Sequence, residues 1–136
     1  MRFADLRHTL AWLALFAAAV FGSLQGNPHS GVRQVEVDEA RKLMQAGALV
    51  IDVRERAAYA AAHLPGALQI PLEALPNSLA TIEAAGASSI VVYCGDGSTR
   101  GLAAAHLLTQ AGFVQTVNMR AGLDGWRRAG LPTRSS

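Results

Sequence analysis

Apolar residues in this chain fall into short runs whose period keeps changing. Val35-Glu36-Val37 alternates and predicts a short strand. Asp38 then predicts the N-cap of a helix running from Glu39 to Ala46 and stopped by Gly47. Leu49 to Val53 is a continuous apolar strand with one carboxylate, Asp52, near its end. Arg54-Glu55-Arg56 opens a short Ala-rich helix over 57–62. His63 to Ala67 reads as a turn, and Leu68 to Ile70 as a brief strand before Pro71. Leu72 to Leu75 predicts one helical turn, and Pro76 to Ala85 a further helix ended by Gly86. Ile90 to Tyr93 is β-branched and apolar, the expected central strand. Arg100 to Ala111 predicts the longest helix, stopped by Gly112. Val114 to Asn118 predicts another strand, and Gly122 to Ala129 a terminal helix carrying Trp126. Strands alternating with helices imply an α/β fold: a central parallel sheet of about five strands, helices on both faces. In such sheets ligands bind beyond the carboxyl ends of the strands.

The first segment has a different pattern. Arg2 and Arg7 precede Leu10 to Leu24, which is uncharged and almost wholly apolar; turn formers follow from Gln25 to Gly31. A basic head, a short apolar core and a polar exit describe an export signal. The run is shorter than the ~20 residues of a comfortable membrane span. Residues 1–26 are therefore read as a signal peptide or an uncleaved N-terminal membrane anchor held by 10–24. Residues 27–34 are a linker, 35–133 the folded domain and 134–136 a C-terminal tail. Both export readings place the domain outside the cytosol, in the periplasm if the host is bacterial. The formal net charge is only +2, without a basic stripe, so nucleic acid is not an expected partner. The four histidines lie far apart and cysteine occurs once, which argues against a metal site and excludes an internal disulfide. The domain is expected to be a monomer without cofactor.

That one cysteine, Cys94, stands where the apolar strand hands over to the longest helix. Between them lie Gly95, Asp96, Gly97, Ser98, Thr99 and Arg100. Backbone N–H groups at the positive end of a helix favour a thiolate and cradle an anion. The plain alternative is a buried, inert cysteine. The small polar loop offers no apolar packing, which favours the reactive thiol.

Several ordered features then resemble the single-domain rhodanese (sulfurtransferase) family over about Val35 to Thr133. Ile51-Asp52-Val53-Arg54, Tyr59, His63-Leu64-Pro65-Gly66-Ala67 and Ile70-Pro71 are similar to its N-terminal signature. Val91-Val92-Tyr93-Cys94 resembles its catalytic strand. Ala111-Gly112-Phe113, Gly122-Leu123-Asp124-Gly125-Trp126 and Gly130-Leu131-Pro132 complete the order. The resemblance implies a rhodanese-like three-layer fold, with Cys94 as the nucleophile that becomes a persulfide. The partners are then a small anionic sulfur donor such as thiosulfate and an acceptor, cyanide or a thiol. Gly95, Asp96, Gly97, Ser98, Thr99 and Arg100 form the candidate donor site: backbone N–H groups, hydroxyls of Ser98 and Thr99, and the Arg100 charge.

One departure opens a second reading. The loop from Cys94 through Arg100 is one residue longer than in most rhodaneses of this type, and its C-x5-R spacing looks like the phosphatases and arsenate reductases of the same fold. Against an oxyanion substrate, Asp96 sets a negative charge in the loop, and Tyr93 precedes Cys94 where those relatives carry His. A third reading is a non-catalytic persulfide carrier or interaction module. Near the site, Asp52 is expected to be a structural carboxylate paired with Arg54, and His63 a turn-stabilising residue. Arg120 is a candidate aid to anion binding at the rim. Trp126 and Phe113 are expected in the core, and His106 at the surface or its boundary.

Overall fold

The computed structural model describes residues 31–96 and 99–136. The expected signal or anchor, and Gly97 and Ser98 of the loop, lie outside the described residues. No described helix is long and apolar enough to cross a membrane.

Among the described residues five strands form one parallel sheet: β1 (Arg33–Val35), β2 (Leu49–Asp52), β3 (Leu68–Gln69), β4 (Ile90–Tyr93) and β5 (Thr116–Met119), in the order β1-β5-β4-β2-β3. The helices are α1 (Val37–Gln45), α2 (Arg56–Ala61), a 3-10 segment (Leu72–Asn77), α3 (Leu79–Ala85), α4 (Thr99–Gln110) and α5 (Gly122–Arg128). β4 is central, as its unbroken apolar run predicts, and all four of its residues are buried.

Strand parity divides the core in two. Ile51, Val53, Ile90, Val92 and Cys94 face the layer made by α4, α3 and the 3-10 segment. Val50, Val91, Tyr93, Val117 and Met119 face the other layer, with Ala40 of α1 and Leu123 and Trp126 of α5. Alternate residues of a strand point to opposite faces, so neighbouring side chains of β4 serve different cores.

Most boundaries fall within one residue of the sequence-based expectation, and the larger differences lie in three places. Helix α1 starts at Val37, with Glu36 rather than Asp38 at the N-cap, and β1 ends before it. No side chain caps that end; the helix is set by Ala40 packing into the second core. The helical pattern from Pro76 is split. Pro76 belongs to the 3-10 segment, which closes with the Ser78 N–H donating to the Leu75 carbonyl, and α3 starts only at Leu79. The last strand is Thr116–Met119, because Val114 is left outside the sheet and exposed. The tail is also tied down: Arg134 and His63 exchange two backbone hydrogen bonds, at 2.8 and 2.9 Å, and the Ser136 N–H donates to the Ala60 carbonyl.

Candidate active site

Cys94 follows the last residue of β4 and keeps that strand's parity, so its side chain enters the first core beside Ala104 and Ala105 of α4. It is 2% exposed. The opposition drawn from sequence, between a loop thiol and a buried one, is therefore not an opposition. The side chain is buried, whereas the chain beyond it emerges through half-buried Gly95 to exposed Asp96. Helix α4 begins at Thr99, so Thr99 and Arg100 form its first turn.

The start of α5 sets the loop's orientation. The Leu123 N–H donates to the Cys94 carbonyl and the Asp124 N–H to the Gly95 carbonyl, both at 2.9 Å. In a planar trans peptide the N–H points opposite its C=O. The N–H groups of Gly95 and Asp96 are therefore turned away from α5. Gly122 makes this approach possible. It has φ +64°, and a Cβ there would lie 2.7 Å from both carbonyl oxygens. Only glycine satisfies both conditions.

On the opposite face of the sheet lies a buried polar network. Asp52 pairs in register with Tyr93 and is wholly buried. It accepts hydrogen bonds from the Tyr93 hydroxyl at 2.6 Å, the Arg54 backbone N–H at 3.0 Å and the Arg54 guanidinium at 2.7–3.2 Å. The Tyr93 hydroxyl in turn accepts from the Leu64 N–H, and Arg54 also donates to the Ala62 carbonyl. Burial, reinforced by the bond to Asp52, pushes the Tyr93 hydroxyl far above its ordinary range, so it remains a donor. Burial works against the Arg54 charge, but its bonds to Asp52 outweigh that and raise its pKa. Asp52 is thus joined to Arg54 and Tyr93. The Arg54 stem also underlies the loop, its Cδ 3.8 Å from where a Gly95 Cβ would stand.

Arg100 is directed away from a simple anion clamp. Its Nε donates to the Val53 carbonyl at 2.7 Å, and its terminal nitrogens bind Glu73 and Glu55 at 2.8–3.2 Å. It ties the first turn of α4 to the end of β2 and to the 3-10 segment. Glu73 is held below the usual carboxylate range, first by its own backbone hydrogen bond and then by Arg100. Arg120 is exposed and ion-paired with Glu36. His63 stacks on Tyr59, ring centroids 3.8 Å apart, and its Nδ1 lies 2.7 Å from the Tyr59 carbonyl. Phe113 packs against the first core, Trp126 lies in the second, and His106 is half-buried.

Asn118 did not stand out in the sequence. It is wholly buried in β5, paired with Val92, and so shares the face of Cys94. An Asn in an apolar strand was the available signal; its place beside the sulfur required the register of β4 on β5.

The family model of the Rhodanese-like domain matches residues 36–129. The chain belongs to the rhodanese-like family. A sulfurtransferase of Allochromatium vinosum is 34% identical over 84 residues, spanning 62% of this chain and 76% of its own. The thiosulfate sulfurtransferase GlpE of Haemophilus influenzae is 32% identical over 103 residues, 74% of this chain and 92% of that protein. The human single-domain sulfurtransferase TSTD1 superposes with a TM-score of 0.61 at 31% identity, over 72% of this chain and 97% of that one. The rhodanese α/β fold expected from the sequence is the fold observed, and these relatives support a sulfurtransferase-type enzyme.

Proposed function

We propose that this rhodanese-like protein moves sulfane sulfur from thiosulfate, or a similar small anionic donor, to cyanide or a thiol through a Cys94 persulfide. The observation that carries the reading is the seat of Cys94: the first residue past the central strand, at the carboxyl edge of a parallel sheet, with its own carbonyl and that of Gly95 held by α5. In the first half-reaction the Cys94 thiolate attacks the outer sulfur of thiosulfate. A new S–S bond forms and sulfite leaves with the electron pair of the old one. In the second, the acceptor attacks that outer sulfur and Cys94 departs as thiolate. Cys94 is the only cysteine, so the sulfur passes to an outside molecule.

The engagement of Arg100 counts against the phosphatase or arsenate reductase reading. That chemistry needs the last residue of C-x5-R to clamp two substrate oxygens. Here the guanidinium is occupied by Val53, Glu55 and Glu73. Thiosulfate and cyanide incubated with the protein are expected to yield thiocyanate, and with Cys94→Ser none. Thiosulfate alone should add about 32 Da, one sulfur on the thiol. A Cys94→Ser protein with undiminished turnover overturns the mechanism. Slow turnover with cyanide but rapid loss of the added sulfur to a protein acceptor selects a carrier. We read residues 1–26 as delivering this activity outside the cytosol, and recovery of full-length protein only in the cytosolic fraction overturns that reading.

A further inference from the structure

Behind the sulfur, three elements converge on one point. Gly101, in the first turn of α4, has no side chain. A Cβ there would lie 2.3 Å from Asn118 Oδ1 and 3.4 Å from Cys94 Sγ. The Asn118 amide therefore occupies the space that glycine leaves open, next to the sulfur. Its Oδ1 is buried and has no hydrogen-bond partner among the described residues, while its Nδ2 donates to Gln34 Oε1 at 3.2 Å. Buried polar atoms are rarely left unpaired, so this one calls for an explanation. Gln34 lies in the edge strand β1, and it is exposed.

The two ends of an amide are nearly the same size and opposite in chemistry. An oxygen on the sulfur's side of the amide tolerates a neutral thiol, although the two form no hydrogen bond in this structure. An anionic sulfur is repelled by that oxygen and calls for an N–H. We propose that Asn118 is a positioning residue for Cys94 whose amide turns over as the sulfur becomes anionic, presenting Nδ2 to it, with Gln34 making the matching turn. The turn exchanges ends within one volume and leaves the packing intact. Gln34 permits it because an exposed glutamine can either accept from Asn118 or donate to it. The inference bears on the reactive sulfur of the reading above, but its test does not require sulfur transfer.

Gln34 is a surface handle for the experiment. Gln34→Glu can only accept, so it retains Nδ2 and leaves the oxygen facing the sulfur. Gln34→Lys can only donate, so it retains the oxygen and frees Nδ2 for the sulfur. Iodoacetamide alkylation of the sole cysteine, at one pH and high salt, reads the outcome directly. Gln34→Glu is expected to slow alkylation about fivefold relative to Gln34→Lys, the scale of one net hydrogen bond. Charge acting through space would favour the same order, so the comparison is repeated with Asn118→Leu, of similar size and no polar end. There the difference should collapse to within about twofold, the residue of screened charge. Equal rates in the two Gln34 variants, or a difference that survives Asn118→Leu, overturns the proposal. If Asn118→Leu does not fold, Asn118→Ala replaces it: with no polar end at position 118, the two Gln34 variants should again alkylate within about twofold of each other. A protein that alkylates as expected yet makes no thiocyanate would reject the enzyme reading and leave this one standing.

Discussion

Asp52 is wholly buried, and its charge is tolerable only because Arg54 and Tyr93 surround it with donors. Removing one partner of such a pair leaves a buried charge uncompensated. Arg54→Ala is accordingly expected to lose about 3–5 kcal/mol in denaturant unfolding. Tyr93 makes a prediction about pH. Its folded-state pKa lies far above that of an unfolded tyrosine, so its contribution is fully present below about pH 10. Above that pH the unfolded chain ionises this tyrosine and the folded chain does not, and stability falls as pH rises. The free energy of unfolding measured against pH should therefore decline less steeply in the alkaline range for Tyr93→Phe than for the parent. Phenolate absorbance assigned to Tyr93 by that difference should appear only on unfolding.

Among the elements, α5 is short but holds the Cys94 and Gly95 carbonyls with its first N–H groups. Gly122 must adopt positive φ and must lack a Cβ for this to happen. Gly122→Ala is thus expected to displace the loop and cut thiocyanate formation on the order of 100-fold, the scale of a misplacement near 1 Å. Circular dichroism should still show a folded protein; parent-level turnover would mean that α5 does not orient the loop. Helix α4 is secured differently, through Arg100 at its first turn. That contact spans 47 residues to Val53 and 27 to Glu73, so no local pattern around the loop announces it. The spacing of Cys94 and Arg100 alone suggests a clamp on substrate.

For the molecule as a whole, the sheet order places β4 between β5 and β2, and β4 and β2 each send side chains into both cores. The C-terminal residues close the second layer by pairing with the turn at His63. Deleting 134–136 removes three backbone hydrogen bonds, and about 1–3 kcal/mol should be lost, seen as a lower melting temperature with Cys94 alkylation unchanged. A truncated chain as stable as the parent would show the tail to be incidental.

The alternation of strands and helices, the buried central run at Ile90 to Tyr93 and the pairing of Asp52 with Arg54 were legible in the residues. Each depends on local period, or on a charge and its partner two positions apart. The placement of Cys94 at a strand end was legible for the same reason. Other features were settled only when distant strands met: the Arg100 tether, the α5 hold on the loop and the amide of Asn118 beside the sulfur. Register between parallel strands is set by the packing of two faces at once, and a one-residue slip would turn Asn118 to the other core. Linear spacing carries no record of that choice.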